Sequence, residues 1–434
     1  MTPNDLNNTL RANHPAALRL LSPLGLRSAL PFGIPQQAAE AGACVRKATI
    51  GQITSGDGEP LAIPSLARHF PNLDPRDSLL YVPQYGMARL RTRWADHIRA
   101  PMSAPMSAPM SAPMSNPIVT TGITHAISIC GELFTDANRP LIVPLPYWDN
   151  YDTIVSMRTE APIRTFDFFD GPPAPKGERQ PRFNVAGLRA MLSTLTGPAT
   201  LLLNFPGNPT GYAPLADEVE GNDGIVAAIL AHPHPLAVVC DDAYEGLYFG
   251  EGMYGRSIFG ALSTAADPER HLICKVDGAT KELVFFGGRV GFLTFSAEGA
   301  AGEALAEKAA ALIRSTVSNG CAPSQAAVLD ALDSPTLAQE QKAVRDILQH
   351  RYDALKSSLD KHELPYYPFN AGCFCLLPLA DGLDAEAVRH RLIREQSVGV
   401  IQVPQINALR VAFCSIEAED IHDLVERIAR ILRP

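Results

Sequence analysis

The chain has 434 residues, of which 46% are hydrophobic and 19% are charged, a composition typical of folded globular proteins rather than disordered ones. Its 37 basic and 46 acidic residues give a net charge of −9, which disfavours nucleic acid and acidic membrane surfaces as partners. The length predicts two domains. Eight cysteines without metal-type CxxC pairs, no N-terminal signal pattern and no bilayer-length apolar run predict a cytoplasmic protein without a metal site.

Two predicted elements open the folded part of the chain. Residues 48–51 have the pattern of a short strand that ends at Gly51. The segment that begins at Tyr81 leads into a predicted helix that runs to about Ile98. From the residues alone, Gly51 is explained by a simple turn and Tyr81 by a place in the core, so that neither residue requires a ligand.

A repetitive segment follows this helix. Residues 100–115 are four copies of Ala-Pro-Met-Ser. Recurrent proline excludes a helix or a central strand, so the repeat predicts an extended surface segment without a chemical role.

A strand, a glycine turn and a helix are predicted over residues 118–127, with the turn at Gly122 and the helix beginning near Thr124. The N-terminus of a helix binds anions through its free N–H groups and its dipole, although an N-cap role alone would also explain Thr124. The next predicted strand, residues 141–144, is followed by Trp148, a flat aromatic that suits either a core or a ring-binding surface.

Two further apolar strands end in polar residues. Residues 199–203 lead to Asn208 in an Asn-Pro-Thr-Gly turn, and residues 236–240 lead to Asp241 and Tyr244. Open parallel sheets bind ligands at the carboxyl ends of their strands. These three polar side chains are therefore expected to converge on one crevice.

A lysine and an arginine are expected at the same crevice. Turn-forming residues precede Lys281, which predicts that its amine lies on a loop that faces a cavity. Arg289 stands between Gly288 and Gly291, where the backbone can approach an anion closely. An amine that can form a Schiff base, near a guanidinium that can bind phosphate, suits pyridoxal phosphate.

The C-terminal part of the chain contains one unusual strand. Residues 408–414 are apolar except for Arg410. A buried arginine without an anion is costly, because the guanidinium does not shed its charge. Either a substrate carboxylate or an acidic residue of the protein is expected to supply that anion. Around this strand the sequence predicts helices at 301–314, 325–350 and 418–432 and a strand at 371–377.

With these motifs in this order, from about Gly51 to Ala412, the chain resembles the class I/II aminotransferases of the pyridoxal-phosphate-dependent fold type I superfamily, which are aspartate aminotransferase-like. The resemblance implies an α/β fold. A large cofactor-binding domain, residues 76–322, would contain a mostly parallel central sheet flanked by helices. A smaller α/β domain would combine the N-terminal segment 1–75 with residues 323–434.

The resemblance also implies the activity. It is the transfer of the amino group of an L-amino acid to a 2-oxo acid, through an aldimine between Lys281 and pyridoxal phosphate. The catalytic residues would be Lys281, Asp241 and Tyr244. Asp241 would pair with the pyridine nitrogen, and Asn208 and Tyr244 would bind the ring oxygen. The enzyme would be a homodimer with shared active sites.

The remaining implied roles concern the ring, the phosphate and the substrate. Trp148 would stack on the cofactor ring, with Tyr147 as the alternative if the register shifts by one residue. The implied phosphate ligands are Gly122, Ile123, Thr124, Thr280, Arg289 and the partner subunit's Tyr81. The implied substrate ligands are Gly51, Asn208, Arg410 for the α-carboxylate, and Arg314 of the partner subunit for a distal carboxylate.

One position departs from the family pattern. Gly278 stands three residues before Lys281, where relatives commonly carry a hydroxyl group as an extra phosphate donor. Either Thr280 compensates for its absence, or Asp277 marks an altered phosphate site.

Two other functions are compatible with the same residues. The first is a pyridoxal-phosphate-dependent elimination, replacement or carbon–carbon bond-forming reaction on the same fold, which would use the same cofactor ligands. The second is a regulatory module that binds the cofactor without turnover. That function is the least favoured, because Lys281 is present and no DNA-binding segment is added. The sequence does not identify the amino donor, although Arg314 points to dicarboxylic or aromatic substrates.

Overall fold

The computed structural model describes residues 2–13, 18, 21, 26, 33–56, 59, 61–68, 70, 73–100, 111–175 and 177–433. The strands in these ranges are β1 (Arg46–Lys47), β2 (Ile118–Thr120), β3 (Leu141–Leu145), β4 (Ile163–Asp167), β5 (Ala199–Asn204), β6 (Leu236–Asp241), β7 (His271–Gly278), β8 (Gly291–Phe295), β9 (Phe374–Pro378), β10 (Val398–Gly399), β11 (Ile401–Val403) and β12 (Ala408–Ala412).

The largest sheet has seven strands in the order β2-β8-β7-β6-β5-β3-β4. Only β8 runs against its neighbours, so the predicted mostly parallel sheet is confirmed. Its central strands β5, β6 and β7 are buried almost throughout, as expected for a parallel sheet covered by helices on both faces. The carboxyl ends of β5 and β6 lie in register, with Asn204 paired to Asp241. This register brings the residues that follow the two strands to the same edge of the sheet.

Helices surround the sheets of the molecule. The longer helices are Pro3–Asn13, Ala88–Arg99, Ile123–Phe134, Val185–Ser193, Gly299–Thr316, Ala322–Asp333, Leu337–Lys361, Ala385–Gln396 and Ala418–Leu432. Shorter ones are Ile34–Glu40, Pro64–Ala67, Pro75–Ser78, Met157–Thr159, Ala216–Glu220, Ile225–Leu230, Phe259–Ala265 and Ala279–Glu282, with a π-helical turn at Asp152–Ser156. The bounds predicted for the last helix are confirmed. No described helix combines the length and the apolar character needed to cross a bilayer.

A smaller sheet holds the C-terminal segment together. β12 pairs antiparallel with both β11 and β9. The short β1 pairs in parallel with β10, which joins the N-terminal segment to the C-terminal one. The apolar faces of these strands pack on the helices Leu337–Lys361 and Ala418–Leu432 in a separate core that includes Leu355, Leu409 and Val425.

Two predicted elements differ from the structure. The strand predicted at 48–51 lies earlier, at β1, because the pairing with β10 ends once Ala48 has donated to the Gly399 carbonyl. The helix predicted at 325–350 is two helices, Ala322–Asp333 and Leu337–Lys361. Pro335 lies in the break between them, where its ring and missing N–H interrupt the helical hydrogen bonds.

Of the repeat, the structure describes Ala100 and residues 111–115, whereas residues 101–110 lie outside the described residues. The sequence also predicts a helical piece at residues 16–21, and most of these residues lie outside the described part of the chain as well. In the last copy Ala112, Met114 and Ser115 are buried rather than exposed. Ser115 donates to the Phe295 carbonyl at 2.8 Å and its hydroxyl accepts from the Phe295 N–H at 3.1 Å. The prediction of a surface segment is therefore wrong for this copy, because it packs at the end of β8.

Candidate active site

The crevice is built at the ends of β5 and β6. The Asn204 side chain donates to the Asp241 carbonyl at 2.7 Å, and its oxygen accepts from the backbone N–H of Asn208 at 2.6 Å. One amide side chain thus fixes the Asn-Pro-Thr-Gly loop to the neighbouring strand. Asn208 and Asp241 are thereby brought to the same edge of the sheet, as the strand pattern predicted.

Asp241 is buried and held in a defined orientation. Its carboxylate accepts from the Tyr151 hydroxyl at 2.5 Å and from the backbone N–H of Ala243 at 3.2 Å. Burial raises the pKa of Asp241, whereas these hydrogen bonds and the charge of Lys281 lower it. A buried, oriented carboxylate of this kind suits a cationic partner such as a protonated ring nitrogen.

Lys281 lies on the single helical turn Ala279–Glu282 rather than on the predicted loop. Its Nζ is 5.0 Å from the centre of the Tyr244 ring and 5.8 Å from that of Phe286. Burial lowers the pKa of Lys281; the nearby Asp241 opposes this shift and the charge of Arg289 reinforces it. A lowered pKa leaves more of the amine neutral, which is the form that attacks an aldehyde.

An anion cradle lies at the N-terminus of the helix Ile123–Phe134. Gly122 precedes this helix with φ of 82°, a conformation that favours glycine. A Cβ atom on Gly122 would lie 2.3 Å from Nη2 of Arg289, so the guanidinium lies directly against this turn. The first N–H groups of the helix, at Ile123 and Thr124, have no acceptor within the helix itself. Arginine and helix N-terminus together suit a phosphate group.

The structure bears on the two explanations of the Gly278 departure. A Cβ atom on Gly278 would lie 2.6 Å from the Val290 carbonyl oxygen, so no hydroxyl side chain fits on this backbone. Asp277 points to the opposite face of β7, where it accepts from Trp94 at 3.1 Å. This placement does not favour an altered phosphate site at Asp277. The Thr280 hydroxyl is buried without a hydrogen-bond partner among the described residues and stays the candidate donor.

Arg410 is buried, with 2% of its surface exposed. Its guanidinium donates to the Asn208 side-chain oxygen at 2.8 Å and to the Thr49 carbonyl at 2.7 Å, and lies 4.3 Å from the Phe374 ring centre. Burial lowers its pKa, and the nearby Tyr244 and Asp149 counteract that shift. No described residue forms an ion pair with Arg410, and its Nε lacks an acceptor. The position suits an incoming carboxylate.

The other predicted ligands divide into two groups. Gly51 lies at the crevice, since a Cβ atom there would be 2.4 Å from the Phe374 ring that packs against Arg410. Trp148 lies beside Tyr151, with ring centres 5.6 Å apart. Tyr81, in contrast, is 90% exposed, and the exposed Arg314 donates to Ser318. The structure does not bring these last two into the crevice of their own chain.

Comparison with known families decides which family the chain represents. The model of the family described as aminotransferase class I and II matches residues 49–428. The chain belongs to this family. The matched range includes every crevice residue named in this section, so the crevice of this aminotransferase-family protein lies within the part of the chain that matches the family.

Individual relatives of this class I/II family member are distant. A probable aspartate/prephenate aminotransferase of Rickettsia conorii is 27% identical over 201 residues, which is 46% of this chain and 44% of that protein. An aminotransferase of Anaerococcus prevotii has the same fold, with a TM-score of 0.80 at 21% identity over 96% of this chain and 100% of that one. The α-aminoadipate aminotransferase of Thermus thermophilus, complexed with N-(5'-phosphopyridoxyl)-L-leucine, gives a TM-score of 0.73 at 20% identity, covering 96% and 98%.

The crevice fits the pyridoxal phosphate that the sequence motifs predict. Arg289 and the helix N-terminus form a cradle for a phosphate, and the buried Thr280 hydroxyl has no partner among the described residues. Asp241 supplies an oriented buried carboxylate, and Lys281 an amine with a lowered pKa. These are the donors and acceptors that this cofactor requires.

Sequence reasoning missed two residues of the site. Tyr151 orients Asp241, and Asn204 connects β6 to the loop that carries Asn208. A signal for Asn204 was available, since it is the last, polar residue of an apolar strand. Tyr151 offered only its place in an aromatic run after β3, which equally predicts a core residue.

Proposed function

We propose that the protein is a pyridoxal-phosphate-dependent aminotransferase, which moves the amino group of an L-amino acid to a 2-oxo acid. The observation that carries this proposal is the common crevice of Lys281, Asp241 and Arg410. The lysine has a lowered pKa, the aspartate is oriented by Tyr151, and the arginine is a buried cation without an ion-pair partner among the described residues.

Each part of the cofactor has ligands in the crevice. We assign the phosphate to Arg289, Thr280 and the turn of Gly122, Ile123 and Thr124. The pyridine nitrogen would be bound by Asp241, the ring oxygen by Asn208 and Tyr244, and one ring face by Trp148. When bound, the cofactor supplies an aldehyde for amines and a ring that withdraws electrons from the substrate's α-carbon. Together with Lys281, which would bind the aldehyde carbon, this assignment uses every predicted cofactor ligand of the chain except Tyr81, which would come from a second subunit.

The substrate would be held and deprotonated by residues of the same crevice. Arg410 would bind the α-carboxylate through its guanidinium fork, next to the backbone at Gly51. Lys281 is the group placed to take the α-proton at Nζ, and burial lowers the pKa of its amine, which favours the neutral form that a base requires. Fixing the carboxylate orients the α-carbon relative to this base, which is the main contribution of positioning to catalysis.

The comparisons do not favour an elimination, replacement or bond-forming reaction as the main activity. A half-reaction separates the two classes. The loaded enzyme is mixed with single L-amino acids, without a 2-oxo acid, and its absorbance spectrum is followed. We expect conversion to the pyridoxamine form and release of the matching 2-oxo acid. Release of ammonia or thiol without that conversion would contradict transamination. A panel that includes dicarboxylic, aromatic and aliphatic donors also identifies the substrate.

The hydroxyl of Tyr151 gives a smaller, specific test. Tyr151→Phe removes the donor to Asp241 and should lower kcat/KM about 10-fold, since a hydrogen bond to a charged group contributes about 1.5 kcal/mol. Tyr147→Phe is the matched control, because that hydroxyl binds Asp152 instead. Steady-state kinetics of both variants measures the difference. Equal effects of the two substitutions would contradict the role given to Tyr151.

We also propose a homodimer with shared active sites. Leu79, Leu80 and Tyr81 form an apolar run that is 80%, 66% and 90% exposed in the single chain, as expected for a surface that a second subunit covers. Tyr81 would then reach the partner's phosphate site, and Arg314 the partner's substrate. The two domains proposed from the sequence are residues 76–322 and residues 1–75 with 323–434, and the β1–β10 pairing, which joins the N-terminal segment to the C-terminal one, supports the second of them.

A shared site predicts complementation between inactive chains. Tyr81→Ala and Lys281→Ala should each be defective alone, but unfolding and refolding them together should restore activity. A mixed dimer would contain one complete site, formed by Lys281 of one chain and Tyr81 of its partner subunit. Light scattering after size exclusion measures the assembly. A monomer, or the absence of recovery in a proven mixed dimer, would contradict the shared site.

A further inference from the structure

A second set of polar residues lies on the face of β7 opposite the phosphate cradle. The helix Ala88–Arg99 presents Trp94 and His97 on one side, three residues apart. Trp94 is fully buried, stacks on Phe292 at 4.0 Å between ring centres, and donates its N–H to Asp277 at 3.1 Å. His97 Nε2 lies 2.5 Å from Oε1 of Glu282. One helix therefore binds two separate acidic side chains.

The two acidic residues bracket the lysine. Asp277 is four residues before Lys281 and Glu282 directly follows it. Glu282 is the last residue of the helical turn Ala279–Glu282, which has only four residues. So short a helix is not stable by itself and depends on tertiary contacts. Trp94 and His97 supply such contacts at both ends of the turn.

Further charges complete this network. Lys275 Nζ lies 2.6 Å from Asp242 and 3.5 Å from Asp277, and also binds Glu245. Asp242 directly follows the proposed cofactor ligand Asp241. The network borders a cavity of about 350 Å³, and Lys281 lines this cavity together with His97, Glu245, Lys275, Asp277 and Glu282. Through Lys275 the network connects the end of β6 to β7.

The charges of the neighbouring residues keep both His97 and Glu282 ionised, which stabilises their ion pair. Burial alone lowers the pKa of His97, but Glu282, Asp277 and Glu245 together raise it to about 9. Burial raises the pKa of Glu282, whereas His97 and Lys275 bring it below its ordinary value. Both partners are thus charged at neutral pH, and removal of one leaves the other without its hydrogen-bonded ion-pair partner.

We propose that Trp94 and His97 are positioning residues for Lys281, which act by holding Asp277 and Glu282 on either side of its turn. The inference rests on the proposed function of Lys281. A displacement of about 1 Å at a reacting group costs up to about 100-fold in rate. Loosening the turn should therefore alter both the mobility of this segment and the surroundings of the lysine nitrogen.

The test compares His97→Leu, which removes the donor, with His97→Gln, which retains one. In cofactor-free His97→Leu, amide hydrogen exchange of the peptide 277–285 should become at least about 10-fold faster. In the loaded enzyme, the pH midpoint of the cofactor absorbance should shift by at least about 0.5 unit and kcat should fall about 10-fold, with KM within about 2-fold. His97→Gln should restore most of each change.

His390→Leu is the matched control, because His390 also pairs with a glutamate, Glu386, at 3.0 Å, but in another part of the molecule. It should change none of these readouts. If His97→Leu does not fold, Trp94→Phe decides by the same measurements, since it keeps a ring and removes only the N–H. A folded variant with unchanged exchange and an unchanged midpoint would overturn the inference. Absence of cofactor absorbance in the wild type would instead refute the proposed function, while the exchange measurement still decides the positioning role.

Discussion

Lys281→Ala is expected to lower kcat at least about 10⁵-fold and to abolish the visible absorbance of the cofactor bound to the lysine. The reason is that one nitrogen has two tasks: it holds the cofactor, and it takes the α-proton of the substrate. The structure places this nitrogen beside Tyr244 and lowers its pKa through burial. Stopped-flow spectra and steady-state rates of the purified variant measure both effects.

Two controls make the Lys281 result specific. Lys308→Ala removes an exposed lysine of the helix Gly299–Thr316 and should leave rate and spectrum unchanged. Thermal unfolding should show that Lys281→Ala is folded, because the substitution removes a partly desolvated amine that has no ion pair among the described residues. Turnover in the folded alanine variant above about 1% of the wild-type rate would refute the role of Lys281.

Arg410→Ala should lower kcat/KM for amino acids about 10³-fold, through a higher KM and a lower kcat together. Two charge-assisted hydrogen bonds to a carboxylate contribute about 1.5–3 kcal/mol each, which corresponds to about 10²–10⁴ in affinity. The protein places Arg410 in a buried position with Asn208 and Thr49 as neutral partners, so a substrate carboxylate would supply the missing negative charge. Kinetics with the best donor from the half-reaction panel measures the loss.

A substrate comparison separates carboxylate binding from a structural effect at Arg410. An amine that lacks the carboxylate but keeps the same side chain should react equally slowly with wild type and with Arg410→Ala. Arg410→Lys should recover little, because an ammonium keeps the charge but not the planar fork. An equal loss for the amino acid and for the carboxylate-free amine would show that Arg410 supports the fold of the crevice and not the substrate.

Much of the fold follows from the sequence, because the strands of a covered parallel sheet are continuous apolar runs. The runs before Asn208 and Asp241 predicted both strands and the shared edge at which their polar residues meet. Arg410 could also be identified from the sequence, because it is the one charged residue in an apolar strand. The roles of these residues toward cofactor and substrate stay predictions until the experiments above are done.

Other features depend on contacts that no local pattern contains. Tyr151 and Asp241 are 90 residues apart, and Trp94 and Asp277 are 183 apart, so only the folded chain reveals these pairs. The last copy of the repeat has the composition of a surface segment, yet β8 binds it through Ser115. The helix break at Pro335, in contrast, has a local cause, because a proline interrupts a helix. The helical periodicity on both sides of Pro335 nevertheless led to the prediction of a single helix.

Chemical trapping tests the central claim most directly. The loaded enzyme is treated with borohydride, which makes the bond between cofactor and lysine permanent, and then digested for mass spectrometry. We predict a phosphopyridoxyl group on the peptide that contains Lys281. Label on another lysine, such as the buried Lys275, or no label in a protein that retains transaminase activity, would contradict the account.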